Sequence, residues 1–238
     1  MAARDRPLYA VLIDADNIPA RYASAILEEI TSFGEPALRR VYGDWSSGQL
    51  RGWADATREI GLVAHQETAN TKGKNASDIG LVIDAMDILH TGRFDGFVLV
   101  SSDSDFTALA NRIRENGLEV IGIGESKAPE SLRNVCNRFI LIENIVEEPA
   151  PAARGKAQAP AGKAAPSEAV PLILRAMDKI PQEDEWYTLG QLGQYIVAEH
   201  PDFDTRTYGK KKLSDLIKEL PRFETRKSGN QLQVRRRD

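Results

Sequence analysis

The chain has 238 residues, 42% hydrophobic and 28% charged, enough for one large core or two smaller ones and unlike a disordered or fibrous protein. One cysteine, Cys136, excludes an intramolecular disulfide and a cysteine-clustered metal site, and with no apolar run near the roughly 20 residues that span a bilayer and no signal-peptide stretch in MAARDRPLY, a cytoplasmic protein without a membrane partner is expected. The overall charge of −4 divides into 15 Lys and Arg against 23 Asp and Glu through Glu148, a net of −8, and 16 against 12 beyond it, a net of +4.

The N-terminal part alternates strand and helix. Tyr9 to Ile13 is a short apolar run, Ala20 to Ser32 has helical spacing, and Leu38 to Tyr42 and Leu62 to His65 are strand candidates around a helix near Leu50 to Glu59. A helix follows from about Ala76 to His90, then a wholly apolar strand Gly96 to Val100, a helix Phe106 to Asn116 closed by Gly117, and a strand Glu119 to Gly124. Apolar strands separated by helices predict an α/β fold, a mostly parallel sheet covered on both faces, with its ligand site beyond the carboxyl ends of the strands.

That rule gives meaning to the aspartates. Asp14 and Asp16 follow the first strand, Asp103 and Asp105 follow the strand ending at Val100, and neighbouring central strands would bring both loops to one edge. Asp78 stands at the start of its helix, where the dipole favours a carboxylate, and at about 100° per residue it lies over the sheet-facing side with Leu81, Val82, Ala85 and Leu89. Asp84, about 120° away on the same wheel, is a second-tier candidate. Carboxylates gathered bare repel one another, so such a cluster points to a divalent cation. The competing readings are structural: Asp14 and Asp16 as strand-end turn residues, Asp103 as a turn residue before a helix capped by Ser104 or Asp105, Asn17 as a loop stabiliser. Ser101 and Ser102 could hold a phosphate or an aspartate, and Lys72 and Lys74 offer a positive approach to Asp78. Neither GxGxxG after the first strand nor GxxxxGK[ST] is present, which argues against dinucleotide and P-loop enzymes.

The stretches LIDADNI, KGKNASDIGLVIDAMD and VLVSSDSDFTALANRIRENGLEVIGIG, in that order, resemble the NYN domain, a branch of the PIN-like nucleases found in LabA-like (DUF88) proteins, over about residues 7 to 146. The resemblance implies a PIN-like, Rossmann-like three-layer domain, Mg²⁺ or Mn²⁺, and cleavage of RNA phosphodiester bonds. It places the family's acidic site on Asp14, Asp78, Asp103 and Asp105, with Asn17 as polar partner and Asp84 as a further metal candidate.

Residues 149 to 167 lack aromatic and bulky aliphatic side chains and read as an Ala/Pro-rich flexible linker between domains at 1–148 and 168–238. In the second domain Val170 to Ala176, Thr188 to Ala198 and Thr207 to Leu220 read as helices, and Phe223 to Arg226 and Gln231 to Arg235 as a hairpin. Three helices and a hairpin predict a small winged helix. From Thr205 to Arg237, eleven basic residues face three acidic ones, a surface for a polyanion. Tyr208, Lys210, Lys211, Lys212, Arg226, Lys227, Arg235 and Arg236 are the candidates for contact with nucleic acid. TLGQLGQYIVAEHPDFDTRTYGKKKLSDLIKELPRFETR resembles the OST-HTH/LOTUS domain, over roughly residues 168 to 236, and implies RNA binding or, in some members, a protein partner. The expected function is a metal-dependent ribonuclease whose RNA is held by the C-terminal domain, with single-stranded DNA and self-association left open. A non-catalytic RNA-binding regulator, a phosphohydrolase of small nucleotides or phosphoproteins, and a protein-interaction scaffold are the alternatives. The phosphohydrolase is the weakest, because Ile18 stands where its DxDx[TV] pattern needs Thr or Val.

Overall fold

The computed structural model describes residues 5–46, 48–66, 76–146, 163–182, 184–229 and 231–237. The chain divides into two compact units, Met1–Glu147 and Glu148–Asp238. The first runs β1 (Leu8–Asp14), α1 (Ala23–Phe33), β2 (Glu35–Gly43), α2 (Arg51–Ile60), β3 (Val63–Gln66), α3 (Ala76–His90), β4 (Gly96–Val100), α4 (Thr107–Glu115), β5 (Glu119–Gly124), α5 (Glu130–Val135), β6 (Arg138–Leu141) and α6 (Ile142–Ile145). Its six strands form one sheet in the order β3-β2-β1-β4-β5-β6, and every neighbouring pair is parallel.

Both central strands are apolar for a physical reason. Val11, Ile13, Val98 and Val100 pack with Ile26, Ile30 and Trp53 on one face, and Ala10, Leu12, Phe97 and Leu99 pack with Leu81, Ala85, Leu109 and Ile113 on the other. Each strand therefore lies between two helical layers and has no solvent face to make polar. The chain builds outward from β1 through β2 to β3, then returns to place β4 on the other side of β1, with Ile13 beside Val100. That reversal leaves a crevice at the carboxyl ends of β1 and β4. Between Gly124 and the end of this unit the sequence pattern identified no elements; α5, β6 and α6 are six, four and four residues long, too short to establish a period.

The second unit contains α7 (Val170–Lys179), β7 (Tyr187–Thr188), α8 (Leu189–Glu199), α9 (Leu213–Lys218), β8 (Phe223–Ser228) and β9 (Gln231–Arg236). Its antiparallel sheet has the order β7-β9-β8, and Ile173, Met177, Leu192, Ile196, Leu216, Ile217 and Val234 form its core. The architecture is winged-helix-like. Two expectations are corrected. The third helix does not run from Thr207 to Leu220: a 3-10 turn, Thr205–Tyr208, ends at Gly209 with φ +72°, and Lys212 is extended before α9 begins. A left-handed residue cannot continue a right-handed helix, and glycine takes that conformation at little cost. Residues 164 to 167 also belong to this unit's structure, not to a spacer, because Ala164 N–H donates to the Thr207 carbonyl at 2.9 Å and Pro166–Ala169 forms a 3-10 turn.

Candidate metal centre and nucleic-acid interface

Asp14 ends β1 and is 3% exposed. Its Oδ2 accepts the Ser101 hydroxyl at 2.8 Å, and its Oδ1 accepts the backbone N–H groups of Asp16 and Asn17 at 3.2 Å each. The loop after β4 is bound to the same place: Ser101 Oγ accepts Asp103 N–H at 3.1 Å, and Asn17 Oδ1 accepts Ser102 N–H at 3.1 Å. Of the two uses the sequence left open for Ser101, the structure shows the aspartate. Gly124 on β5 permits this packing, since a Cβ there would lie 2.5 Å from the Ser101 carbonyl oxygen.

Above this buried frame the carboxylates gather. Asp78 in the first turn of α3, Asp103, and Asp105 offer oxygens that all lie within 4.8 Å of one another. The cap of the following turn is Asp103, not Ser104 or Asp105: its Oδ1 accepts Asp105 N–H at 2.9 Å, and the same residue belongs to the cluster. The Ser77 hydroxyl donates to Asp16 Oδ2, which ties the residue before Asp78 to the loop after β1. Burial pushes the Asp14 carboxyl up to about 6; the hydrogen bonds from Ser101 and Asn17 oppose this, and the charges of Asp78 and Asp16 add to it. Asp78 is likewise raised, by burial and then by the charges of Asp103, Asp105 and Asp16.

These residues fit a divalent cation. Oxygens ligating one ion at about 2.0–2.6 Å stand no more than about 5 Å apart, the spread seen here, and the ligands are all hard carboxylates, suited to Mg²⁺ or Mn²⁺. Asp84 stands outside the trio. It forms an ion pair with Arg40 and accepts the Tyr42 hydroxyl, both on β2. Burial would raise its carboxyl, but Arg40 and Tyr42 hold it below the usual range. Six residues along α3 from Asp78 is about 9 Å, and its direction on the helix turns it toward β2. Lys72 and Lys74 lie outside the described residues.

The family model of the NYN domain matches residues 9–143. The chain belongs to the NYN domain family. A second family model, the OST-HTH/LOTUS domain, matches residues 163–234, so a PIN-like NYN domain is followed by a LOTUS domain. Among solved structures, a protein of unknown function from Vibrio parahaemolyticus is 21% identical, with 60% of this chain and 97% of that one covered and a TM-score of 0.51; it shares the fold. An uncharacterized protein from Nitrosomonas europaea is 33% identical over 39% of this chain and 92% of that one, with a TM-score of 0.28. No curated protein matches the chain. Among the described residues, no helix is long and apolar enough to cross a membrane.

In the LOTUS domain the basic candidates separate into two groups. Lys210 pairs with Glu219, Arg236 pairs with Asp178 and donates to the Leu174 carbonyl at 3.0 Å, and Arg235 meets Glu224 at 2.8 Å and Glu185 at 3.5 Å. Tyr208 is half-buried against Phe203, with ring centroids 5.9 Å apart, and belongs to the core margin. Lys211, Lys212, Arg226 and Lys227 are exposed and have no ion pair among the described residues. Sequence reasoning passed over Trp186. Its indole lies under two guanidiniums, with Arg226 4.1 Å and Arg235 4.8 Å from the ring centroid. The available signal was a lone tryptophan beside a strand in an otherwise basic domain.

Proposed function

We propose that the NYN domain is a divalent-metal-dependent ribonuclease that hydrolyses RNA phosphodiester bonds, and that the LOTUS domain holds the RNA. The observation that supports this most directly is the convergence of Asp78, Asp103 and Asp105 within 4.8 Å at the carboxyl edge of the sheet. Asp78, Asp103 and Asp105 would hold the cation, Asp14 and Ser101 would fix the Asp103 loop from below, and Asn17 would hold that loop through Ser102. A bound divalent ion supplies positive charge against the phosphate oxygens and lowers the pKa of water. The cluster contains no histidine, and a water activated by the metal would need none as base; its attack with departure of the 3′ oxygen would leave 5′-phosphate and 3′-hydroxyl ends, whereas attack by the neighbouring 2′-OH would leave a cyclic phosphate.

The test is cleavage of end-labelled single-stranded and structured RNA pools with Mg²⁺, Mn²⁺ or EDTA, by wild type and Asp103→Asn. Cleavage should require metal, give 5′-phosphate ends, and fall at least about a hundredfold in the variant. RNA binding without cleavage in any condition would replace this reading with a non-catalytic RNA-binding regulator.

A further inference from the structure

The β7-β9-β8 sheet has an inner and an outer face. Val234 is buried on the inner face with Tyr187 and Thr225 opposite it in register. Side chains alternate along a strand, so Gln233 and Arg235 on β9 and Glu224 and Arg226 on β8 lie on the outer face, where Trp186 joins them. There Arg226 and Arg235 both rest on the Trp186 ring. Two cations at one indole repel each other, and both nearby carboxylates, Glu224 and Glu185, contact Arg235. The exposed Arg226 has no carboxylate partner among the described residues, and its side-chain hydrogen bond is made through Nε to Gln233 at 2.8 Å. This face presents a ring and a guanidinium plane together, beside an amide, and the Arg226 guanidinium has no carboxylate in contact among the described residues.

An anion with a flat aromatic body would satisfy all of these groups. We propose that the Trp186–Arg226 pair is a stacking site for an unpaired nucleobase of a nucleic-acid single strand, with the Arg226 guanidinium facing the flanking phosphate. Bases in a duplex are already stacked and cannot lie on a sheet face, whereas splayed single-strand bases stack on aromatic rings and guanidinium planes. The site deepens the proposed RNA-holding role of the LOTUS domain and rests on it.

Anisotropy of labelled oligonucleotides with the full chain in EDTA, where metal-dependent cleavage is stopped, tests the site. The probes are a mixed-sequence RNA strand, the same RNA as a duplex, and a DNA strand of equal length. Trp186→Leu should weaken binding of the RNA strand about tenfold, as for loss of one stacked base, and leave duplex binding unchanged. Trp186→Tyr should recover most of the loss, and Arg226→Gln should weaken the strand in the same selective way. The DNA arm identifies the source: Trp186 dependence on both strands assigns the site to bases irrespective of sugar, and on RNA alone to RNA. Equal binding of the RNA strand by wild type, Trp186→Leu and Arg226→Gln would overturn the site while leaving the RNA-holding role standing. Wild type that binds no probe would overturn both. Should Trp186→Leu fail to fold, the Tyr and Arg226 variants carry the same comparison.

Discussion

Asp14 carries a cost that its hydrogen bonds do not remove. At 3% exposure, with its carboxyl raised to about 6, it binds a proton more tightly folded than unfolded, where an aspartate titrates near 3.9. By linkage the penalty is absent below about pH 4, grows between about pH 4 and 6, and is complete above that. Asp14→Asn should therefore stabilise the metal-free protein at pH 7.5 by about 1–3 kcal/mol, raise its Tm in EDTA, and show no such gain near pH 4. A variant melting below wild type at pH 7.5 in EDTA would count against the burial argument. Residues at this scale were unevenly legible. Asp78, Asp103 and Asp105, which lie together, stand at a helix start and after a strand end, which are local signals; Asp14, also expected among the metal ligands, is not in that trio. The hydrogen bond from Ser77 to Asp16, and that from Ser101 to Asp14, join residues 61 and 87 positions apart, and such pairings leave no periodic trace.

Asp84 shows what a helix does with an acid that stands outside the aspartate cluster. Its ion pair with Arg40 and hydrogen bond from Tyr42 fasten α3 to β2, with side chains 21% and 27% exposed for Asp84 and Arg40. The pair is intermediate between exposed and buried, so Asp84→Asn should destabilise by about 1–2 kcal/mol at neutral pH. Since the folded carboxyl is depressed, this stabilisation is present above the unfolded pKa of about 3.9 and is lost as pH falls through the folded value. Melting curves at pH 7.5 should then move in opposite directions for Asp84→Asn and Asp14→Asn; a shared direction would show that burial does not penalise Asp14 or that Arg40 and Tyr42 do not stabilise Asp84. The helical wheel already set Asp84 about 120° from Asp78, but the strand pattern could not show that Arg40 would face it. The same limit applies to the break before α9. Asp204, whose Oδ1 accepts Arg206 N–H at 2.8 Å, and Gly209 are both local signals for a short turn, and the apolar spacing of Leu213, Leu216 and Ile217 masked them.

Across the whole chain the charges divide the work. The part through Glu148 carries a net −8, which repels a polyanion except where a cation sits among the aspartates, and the basic LOTUS domain carries exposed Lys211, Lys212, Arg226 and Lys227. Tethering should raise the concentration of RNA near the acidic domain. Residues 1–147 have a compact core of their own, so the comparison can be made directly. On the same single-stranded RNA the full chain should have a KM at least about tenfold lower than residues 1–147 at low salt, with little change in kcat. Four phosphate contacts to a single strand would give a salt dependence of about −3 in log affinity against log salt, so this advantage should shrink steeply between about 50 and 200 mM salt. Equal KM values at low salt would mean that the basic surface serves another partner, and a KM advantage indifferent to salt would place RNA recognition on contacts other than these cations.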